Sequence, residues 1–188
     1  MTAKVQAHQW KTALRVGAVI AALVCIVPAT ASAEQFEAKV IGVADGDTVT
    51  VLFVDGITKV PRRIRLSGID APEKAQAFGT VAREALSRLA FAKLAVLDCR
   101  TADRYGRSVC LVKVDGLDVG LRMVELGLAW HYKQYARTQP REEAASYAVA
   151  ESVARESRTG LWRDLDTAVE PMPPWEWRKA ITVGMTPR

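Results

Sequence analysis

Histidine and cysteine are nearly absent from this sequence, with two of the first and three of the second among 188 residues. His8 and Cys25 fall in an N-terminal stretch that reads as a cleavable leader, which leaves His131, Cys99 and Cys110 for the mature chain. One histidine and two cysteines cannot build a tetrahedral zinc site without carboxylate help, and no Ser/His/Asp triad has supporting context. His131 reads as a structural histidine rather than a general base. A long apolar run is missing as well. Residues 16–27 are apolar but number only 12, too few to cross the ~30 Å hydrocarbon core of a bilayer as a helix. There is no internal repeat, and little excess of either charge. Of 26 basic residues three lie in the leader, leaving 23 against 21 acidic ones, a net +2. Net charge therefore makes no case for a nucleic-acid partner; such a case has to come from where the arginines sit. What is left for chemistry is carboxylates, arginines and a hard metal ion.

The leader itself is well marked. Lys4, Lys11 and Arg15 precede the apolar run, and Ala31-Ser32-Ala33 follows it. A charged start, a short apolar centre and a small-x-small site form the pattern of a secretory signal peptide. Cleavage is expected after Ala33, giving a signal peptide at 1–33 and an exported product, periplasmic or secreted, with no stable membrane association. An uncleaved anchor is the alternative, and the length of the run argues against it. Cys25 does not mark a lipoprotein, because Val24 stands where a small residue belongs.

The mature chain begins as strands joined by tight turns. Residues 36–43 lead to Asp45-Gly46-Asp47; residues 48–54 are rich in β-branched side chains and end at Asp55-Gly56; residues 59–66 follow as a third strand. From 80 to 89 the period changes, with Val81, Ala85, Leu86 and Leu89 at helical spacing. A strand at 94–99 returns through Asp103-Arg104-Tyr105-Gly106 into another at 108–114. Asp118 can cap a short helix ending near Gly127, and a last helix is expected over 141–157, closed by Gly160. Three strands, a helix, two strands and then helices predict an α+β fold, a five-stranded Greek-key barrel of the OB type with three helices; a small α+β sandwich reads similarly. After Trp162 the composition shifts. Pro171, Pro173 and Pro174 surround a tail at 163–188 that is expected to be extended, with Trp175 and Trp177 on one face of it. Packing onto the barrel is the plainer reading of these tryptophans, and stacking on bases the other.

Three segments carry chemistry. Asp45-Gly46-Asp47-Thr48-Val49 is a turn entering a strand, and Arg65-Leu66-Ser67-Gly68-Ile69-Asp70-Ala71-Pro72-Glu73 is a strand leaving into a loop. If the two strands pair, Asp47 and Asp70 approach each other at the barrel rim. Carboxylates held that close repel, and a hard cation with oxygen ligands relieves the repulsion. This is not an EF-hand, because Val49 and Thr50 stand where an acid or amide and then a glycine are required. Asp55-Gly56 and Asp115-Gly116 are simply turns. The third segment, Asp103-Arg104-Tyr105-Gly106-Arg107, places arginines about a hairpin tip. Acids for a metal, a further carboxylate and forked guanidiniums together make up what phosphodiester hydrolysis requires.

DGDTV, RLSGIDAPE and DRYGR, in this order and spacing, closely resemble the staphylococcal-nuclease-like (thermonuclease) family, over residues 36–162 within an expected domain at 34–162. The resemblance implies a calcium-dependent nuclease on an OB barrel with three helices, acting on DNA or RNA with little sequence specificity and leaving 3′-phosphates. It makes Asp47, Asp70 and the carbonyl of Ala71 the calcium ligands; the family's best-studied member has threonine where Ala71 stands, a change that keeps the carbonyl. It makes Glu73 the water-activating carboxylate, Arg65 and Arg107 the phosphate clamp, and Arg104 and Tyr105 binders of a terminal phosphate. Tyr135 matches one of two tyrosines flanking the nucleotide, and Lys133 stands where the other would be. The loop at 74–79 is shorter than in that member. Backbone-directed clamping implies a preference for single strands, and the protein is expected to act as a monomer. The alternative is a non-catalytic barrel that binds nucleic acid or calcium, since the family includes degenerate domains. Cys99 and Cys110 fall roughly opposite each other across the hairpin. Opposed positions bring Cβ atoms within ~4.5–5.5 Å, and a disulfide needs ~3.5–4.5 Å, so the spacing permits a bridge without requiring one. Two buried thiols that never meet are the other possibility.

Overall fold

The structure, a computed structural model, describes residues 35–55, 58–165 and 170–185. The expected signal peptide at 1–33 lies outside the described residues. Dense β-branched sequence and Asp/Gly turns give three long strands: β1 (Gln35–Val43), β2 (Thr48–Asp55) and β3 (Thr58–Leu66). A short β4 (Ile69–Asp70) follows, then helix α1 (Gly79–Ala90), β5 (Leu94–Ala102), β6 (Ser108–Val114) and β7 (Leu117–Asp118). Helix α2 (Val119–Glu125), β8 (Trp130–His131), a 3₁₀ turn at Lys133–Thr138, α3 (Arg141–Glu156), a second 3₁₀ turn at Gly160–Trp162 and α4 (Pro174–Thr182) complete the order.

The long strands run in the order β3-β2-β1-β5-β6, and β3 then pairs with β6 in parallel, Ile64 beside Ser108 and Leu66 beside Cys110. That last ladder closes the sheet into the expected five-stranded barrel and leaves these strands without a free edge. Inward side chains alternate along each strand: Val49 and Val51 on β2, Ile64 and Leu66 on β3, Ala95 and Leu97 on β5, Val112 and Val114 on β6, all buried. Helix α1 covers the barrel with Ala82, Ala85, Leu86 and Ala90. Val81, expected on that face, is instead exposed, one position round the helix from Ala82. Asp118 caps α2 by accepting from the Leu121 N–H at 3.1 Å, and the Tyr147 hydroxyl from α3 donates to the same carboxylate at 2.9 Å. These bonds fix α2 and α3 together. Strand β5 runs three residues past its expected end; the register shifts between Cys99 and Thr101, and Arg100 at the shift pairs with Asp98 and with Glu143 of α3. Across the β5–β6 hairpin Cys99 stands opposite Cys110 and the two are joined by a disulfide.

The tail departs from expectation. Residues after Pro173 form α4, a fourth helix, with Pro174 at its first turn where a missing N–H costs nothing. Trp175 and Trp177 therefore lie about 200° apart around a helix rather than on one extended face. Trp175 packs edge-on against Trp130 at 6.3 Å and, tilted, against Tyr132 at 5.4 Å, in a second cluster with Trp162, Leu161 and Ala154. That cluster rests on the Gly127–Gly160 contact. Both glycines have positive φ, and a Cβ on Gly160 would sit 2.4 Å from the Gly127 carbonyl oxygen. No helix among the described residues is long and apolar enough to cross a membrane.

Candidate active site

The β2–β3 hairpin pairs Thr48 with Arg65, which brings the start of β2 beside the end of β3. Asp47 and Asp70 meet there, at the barrel rim. The backbone N–H of Ala71 donates to Asp47 Oδ2 at 2.9 Å across 24 residues of sequence, and the Leu66 N–H donates to the Asp47 carbonyl at 2.8 Å. Gly46 allows the approach: a Cβ there would lie 2.6 Å from that of Ala71 and 2.7 Å from that of Ala82. Between the two carboxylates sits Arg65, nearly buried. One terminal nitrogen pairs with Asp47 Oδ1, and Nη2 reaches Asp70 Oδ1 at 2.9 Å and the Ile69 carbonyl at 3.1 Å. The repulsion expected between Asp47 and Asp70 is thus relieved here by a guanidinium.

These contacts set the protonation of the pair. Burial alone would raise the Asp47 carboxyl, but the Arg65 charge and the Ala71 N–H outweigh it and hold it below the ordinary carboxylate range. Asp70 is raised instead, because burial outweighs its bonds to Arg178 and Arg65. Asp45, half-buried beside Asp47, is pushed up to about 6 by burial and then by its neighbour's charge.

One cavity of about 360 Å³ collects the predicted groups: Asp47, Arg65, Ala71, Glu73, Arg104, Tyr105 and Arg107 all line it, with Asp45 and Asp103 beside them. The β5–β6 hairpin delivers its arginines through Asp103. That carboxylate accepts the Tyr105 and Arg107 N–H groups on Oδ1, both at 2.9 Å, and Arg107 Nε on Oδ2 at 2.6 Å. Its pKa is lowered: burial is the largest single influence and raises it, but those bonds and the Arg107 charge together outweigh burial. Arg107 Nη1 has only a 3.5 Å contact to Thr48 Oγ. The Arg104 and Arg107 guanidiniums lie 4.8 and 5.5 Å from the Tyr105 ring centroid, and the ring itself is 69% exposed.

Other side chains stand differently from the sequence reading. Lys133 is not on the cavity wall; its Nζ sits 2.8 Å from Glu151 and 3.0 Å from His131 Nδ1, and Tyr132 and Gln134 line the cavity instead. The Tyr135 side chain lies outside what the structure describes. His131 is buried, with Nε2 at 3.1 Å from Gln139 Oε1, and its pKa is lowered by burial, as suits a structural histidine.

Sequence reasoning missed Arg178. It reaches back from α4, 108 residues beyond Asp70, and places Nη2 at 2.7 Å from Asp70 Oδ2 and Nη1 at 2.6 Å from Glu73 Oε1. Nη1 also contacts Asp70 Oδ1 at 3.2 Å. Asp70 is fully buried beneath it, whereas the arginine is 40% exposed. Its pKa is raised: burial opposes the charge, but the bonds to Asp70 and Glu73 prevail. The tail is anchored for this by Gln76, whose side-chain amide donates to the Met172 carbonyl. The available signal was a Pro-initiated Trp-Glu-Trp-Arg-Lys run, helical in pattern, carrying two cations.

Residues 63–164 match the model of the family described as staphylococcal nuclease homologue. The chain is 36% identical to the micrococcal nuclease of Shigella flexneri over 172 residues, covering 87% of this chain and 91% of that protein. It is 39% identical to the protein ParB of Escherichia coli, covering 88% of this chain and 90% of that one. An uncharacterized endonuclease of Haemophilus influenzae is 34% identical, over 87% of this chain and 84% of its own length. With a closed barrel whose rim gathers two aspartates, a glutamate and paired arginines, and with this breadth of similarity, the chain belongs to the staphylococcal nuclease homologue family and is a nuclease.

Proposed function

We propose that this nuclease hydrolyses phosphodiester bonds of DNA or RNA in a calcium-dependent reaction with little sequence preference, acting best on single strands. The observation that carries the reading is the convergence of Asp47, Glu73, Arg65 and Arg107 on one cavity at the barrel rim, with Asp70 buried directly behind Arg65. The donor set suits a hard cation: aspartate oxygens and a backbone carbonyl, with no nitrogen or sulfur ligand. Among the described residues no group of three or more His, Cys, Asp or Glu is arranged to hold a metal; Asp47, Asp70 and the Ala71 carbonyl would hold calcium with water completing the shell. Asp47 and Asp70 are both held at the rim by Arg65, and a second guanidinium bridges Asp70 and Glu73; both fit a place made for positive charge. When bound, calcium supplies Lewis-acid polarisation of the phosphate and lowers its repulsion toward an incoming nucleophile.

The chain's own side chains do the rest. Glu73 is 37% exposed at the cavity edge, where its carboxylate accepts a proton from the attacking water. Arg107, its Nε held by Asp103, offers Nη1 and Nη2 as a fork to the phosphoryl oxygens and the leaving oxygen. Arg65 is the second clamp, its Nη groups shared here with Asp47 and Asp70. Arg104 and Tyr105 at the hairpin tip bind a terminal phosphate. Contacts to phosphate and not to base edges carry little sequence information. Export as a monomer to an oxidising compartment, with cleavage after Ala33, accords with the leader's pattern and with the Cys99–Cys110 disulfide; the N-terminal sequence of the processed protein tests it, and a retained leader overturns it.

The alternative, a non-catalytic binding module, draws on one observation: Arg178 occupies Glu73 Oε1 and both oxygens of Asp70. Cleavage of single-stranded DNA measured with calcium and again in chelator separates the two. Cleavage that requires calcium is expected. Binding without cleavage selects the alternative, and full cleavage in chelator removes the calcium dependence.

A further inference from the structure

We propose that helix α4 adds a strand-binding groove to the nuclease, continuous with the catalytic cavity and fitted to the nucleotides that flank the scissile phosphate; the inference rests on the nuclease reading above. A second cavity of about 440 Å³ opens along α4, and Arg104, Tyr132, Gln134 and Arg178 belong to its wall as well as to that of the first. Trp175 and Lys179 are the new walls. Among the described residues lining it, three are cationic, Arg104, Arg178 and Lys179, and none is acidic. The catalytic cavity, by contrast, carries Asp45, Asp47, Glu73 and Asp103. A polyanion leaving the cavity of mixed charge therefore meets a wall whose charged groups are all positive.

Shape and chemistry agree with a single strand. Non-specific single-strand sites combine a basic track with aromatic faces on which bases stack. Tyr132 and Trp175 supply those faces, their rings 5.4 Å apart and tilted by 39°. The wall is fixed in place, since Pro174 is buried, Trp175 lies against Trp130, and Gln76 holds the Met172 carbonyl. Helix α4 spans Pro174–Thr182, outside residues 63–164 that the family model matches.

Fluorescence anisotropy of a labelled ten-nucleotide oligothymidylate, in chelator and over a salt series, tests it with the full mature chain. Lys179 is exposed, so Lys179→Ala leaves the fold intact. It should weaken binding about 3- to 10-fold and shrink the slope of log affinity against log salt by ~0.7, one phosphate contact on a single strand. Lys113→Ala, an exposed lysine on β6 away from both cavities, should leave the slope unchanged. An unchanged slope for Lys179→Ala, or equal losses for both lysines, overturns the groove while leaving a calcium-dependent cleavage assay untouched. A chain that binds through Lys179 yet cleaves nothing removes the nuclease reading and leaves the groove standing.

Discussion

Two arginines touch Asp70, and they could hardly be placed more differently. Arg65 comes from within the barrel, five residues away, is nearly buried, and also ties down Asp47. Arg178 comes from a helix 108 residues away and remains 40% exposed. The first is part of how the rim folds: remove it and two buried carboxylates face each other without a counter-charge. The second is laid across a finished site from outside. One half of the site is therefore built by the barrel and fixed, and the other is contributed by a docked helix that covers oxygens of Asp70 and Glu73, the groups proposed to hold the metal and activate water.

The largest effects should come from the barrel half. Glu73→Gln should lower turnover by ~10²–10⁴-fold with calcium and oligonucleotide binding little changed, the range for loss of a general base. Steady-state cleavage beside calorimetric calcium binding checks it, and a variant keeping most of its activity removes Glu73 from the mechanism. Arg107→Lys should cost about 10²-fold in turnover although charge is kept, because an ammonium cannot present two N–H groups to one phosphate. Asp103 would also lose the Nε partner it holds at 2.6 Å. Near-normal rates would reduce Arg107 to a surface hairpin residue.

The same division explains what could be read from the sequence. The barrel half was legible because each part is local: Asp45-Gly46-Asp47 is a turn, Arg65 to Glu73 is one strand end, and Asp103 to Arg107 is one hairpin tip. Neighbouring strands then bring those parts to one rim. Closure through the β3–β6 ladder follows from the same alternation of strands. Details within that half were less visible. Val81 and Ala82 are adjacent, and hydrophobicity favours the wrong one because alanine is chosen here for close packing under Gly46. Lys133, expected beside the nucleotide, turns to Glu151 and His131, and its neighbours Tyr132 and Gln134 line the cavity. The helix half was not legible at all. Nothing within ten residues of Arg178 refers to Asp70, and three prolines argued for an extended tail when one of them starts a helix.

Reduction of the disulfide probes how far the barrel half depends on its hairpin. Cys99 and Cys110 are 11 residues apart, and a loop of that size contributes at most ~3 kcal/mol by restricting the unfolded chain. Denaturant unfolding of Cys99→Ala/Cys110→Ala should show a loss up to that value, with cleavage retained in proportion to the folded fraction. A stability equal to that of the parent would mean that the β5–β6 ladder and the Asp103 bonds hold Arg107 without help.

The smallest effect expected is the one that tests the helix half most directly. Arg178 places its nitrogens on both oxygens of Asp70 and on Glu73 Oε1, so a calcium ion approaching Asp70 has to displace it. Hydrogen bonds to charged groups contribute roughly 1.5–3 kcal/mol when sheltered, but the arginine's exposure discounts this toward about 1.4 kcal/mol. That corresponds to about tenfold in affinity. Arg178→Ala should therefore bind calcium about tenfold more tightly by titration calorimetry, whereas Lys179→Ala, an equal change in net charge one residue along, should alter it far less. Arg178→Lys should lie between the two, since a point charge cannot bridge both carboxylates as the guanidinium does. If Arg178→Ala and Lys179→Ala shift calcium affinity equally, only net charge is at work and the arginine does not compete for the site. If Arg178→Ala weakens calcium binding, the helix half supports Asp70 rather than covering it, and the two arginines belong to one rigid construction after all.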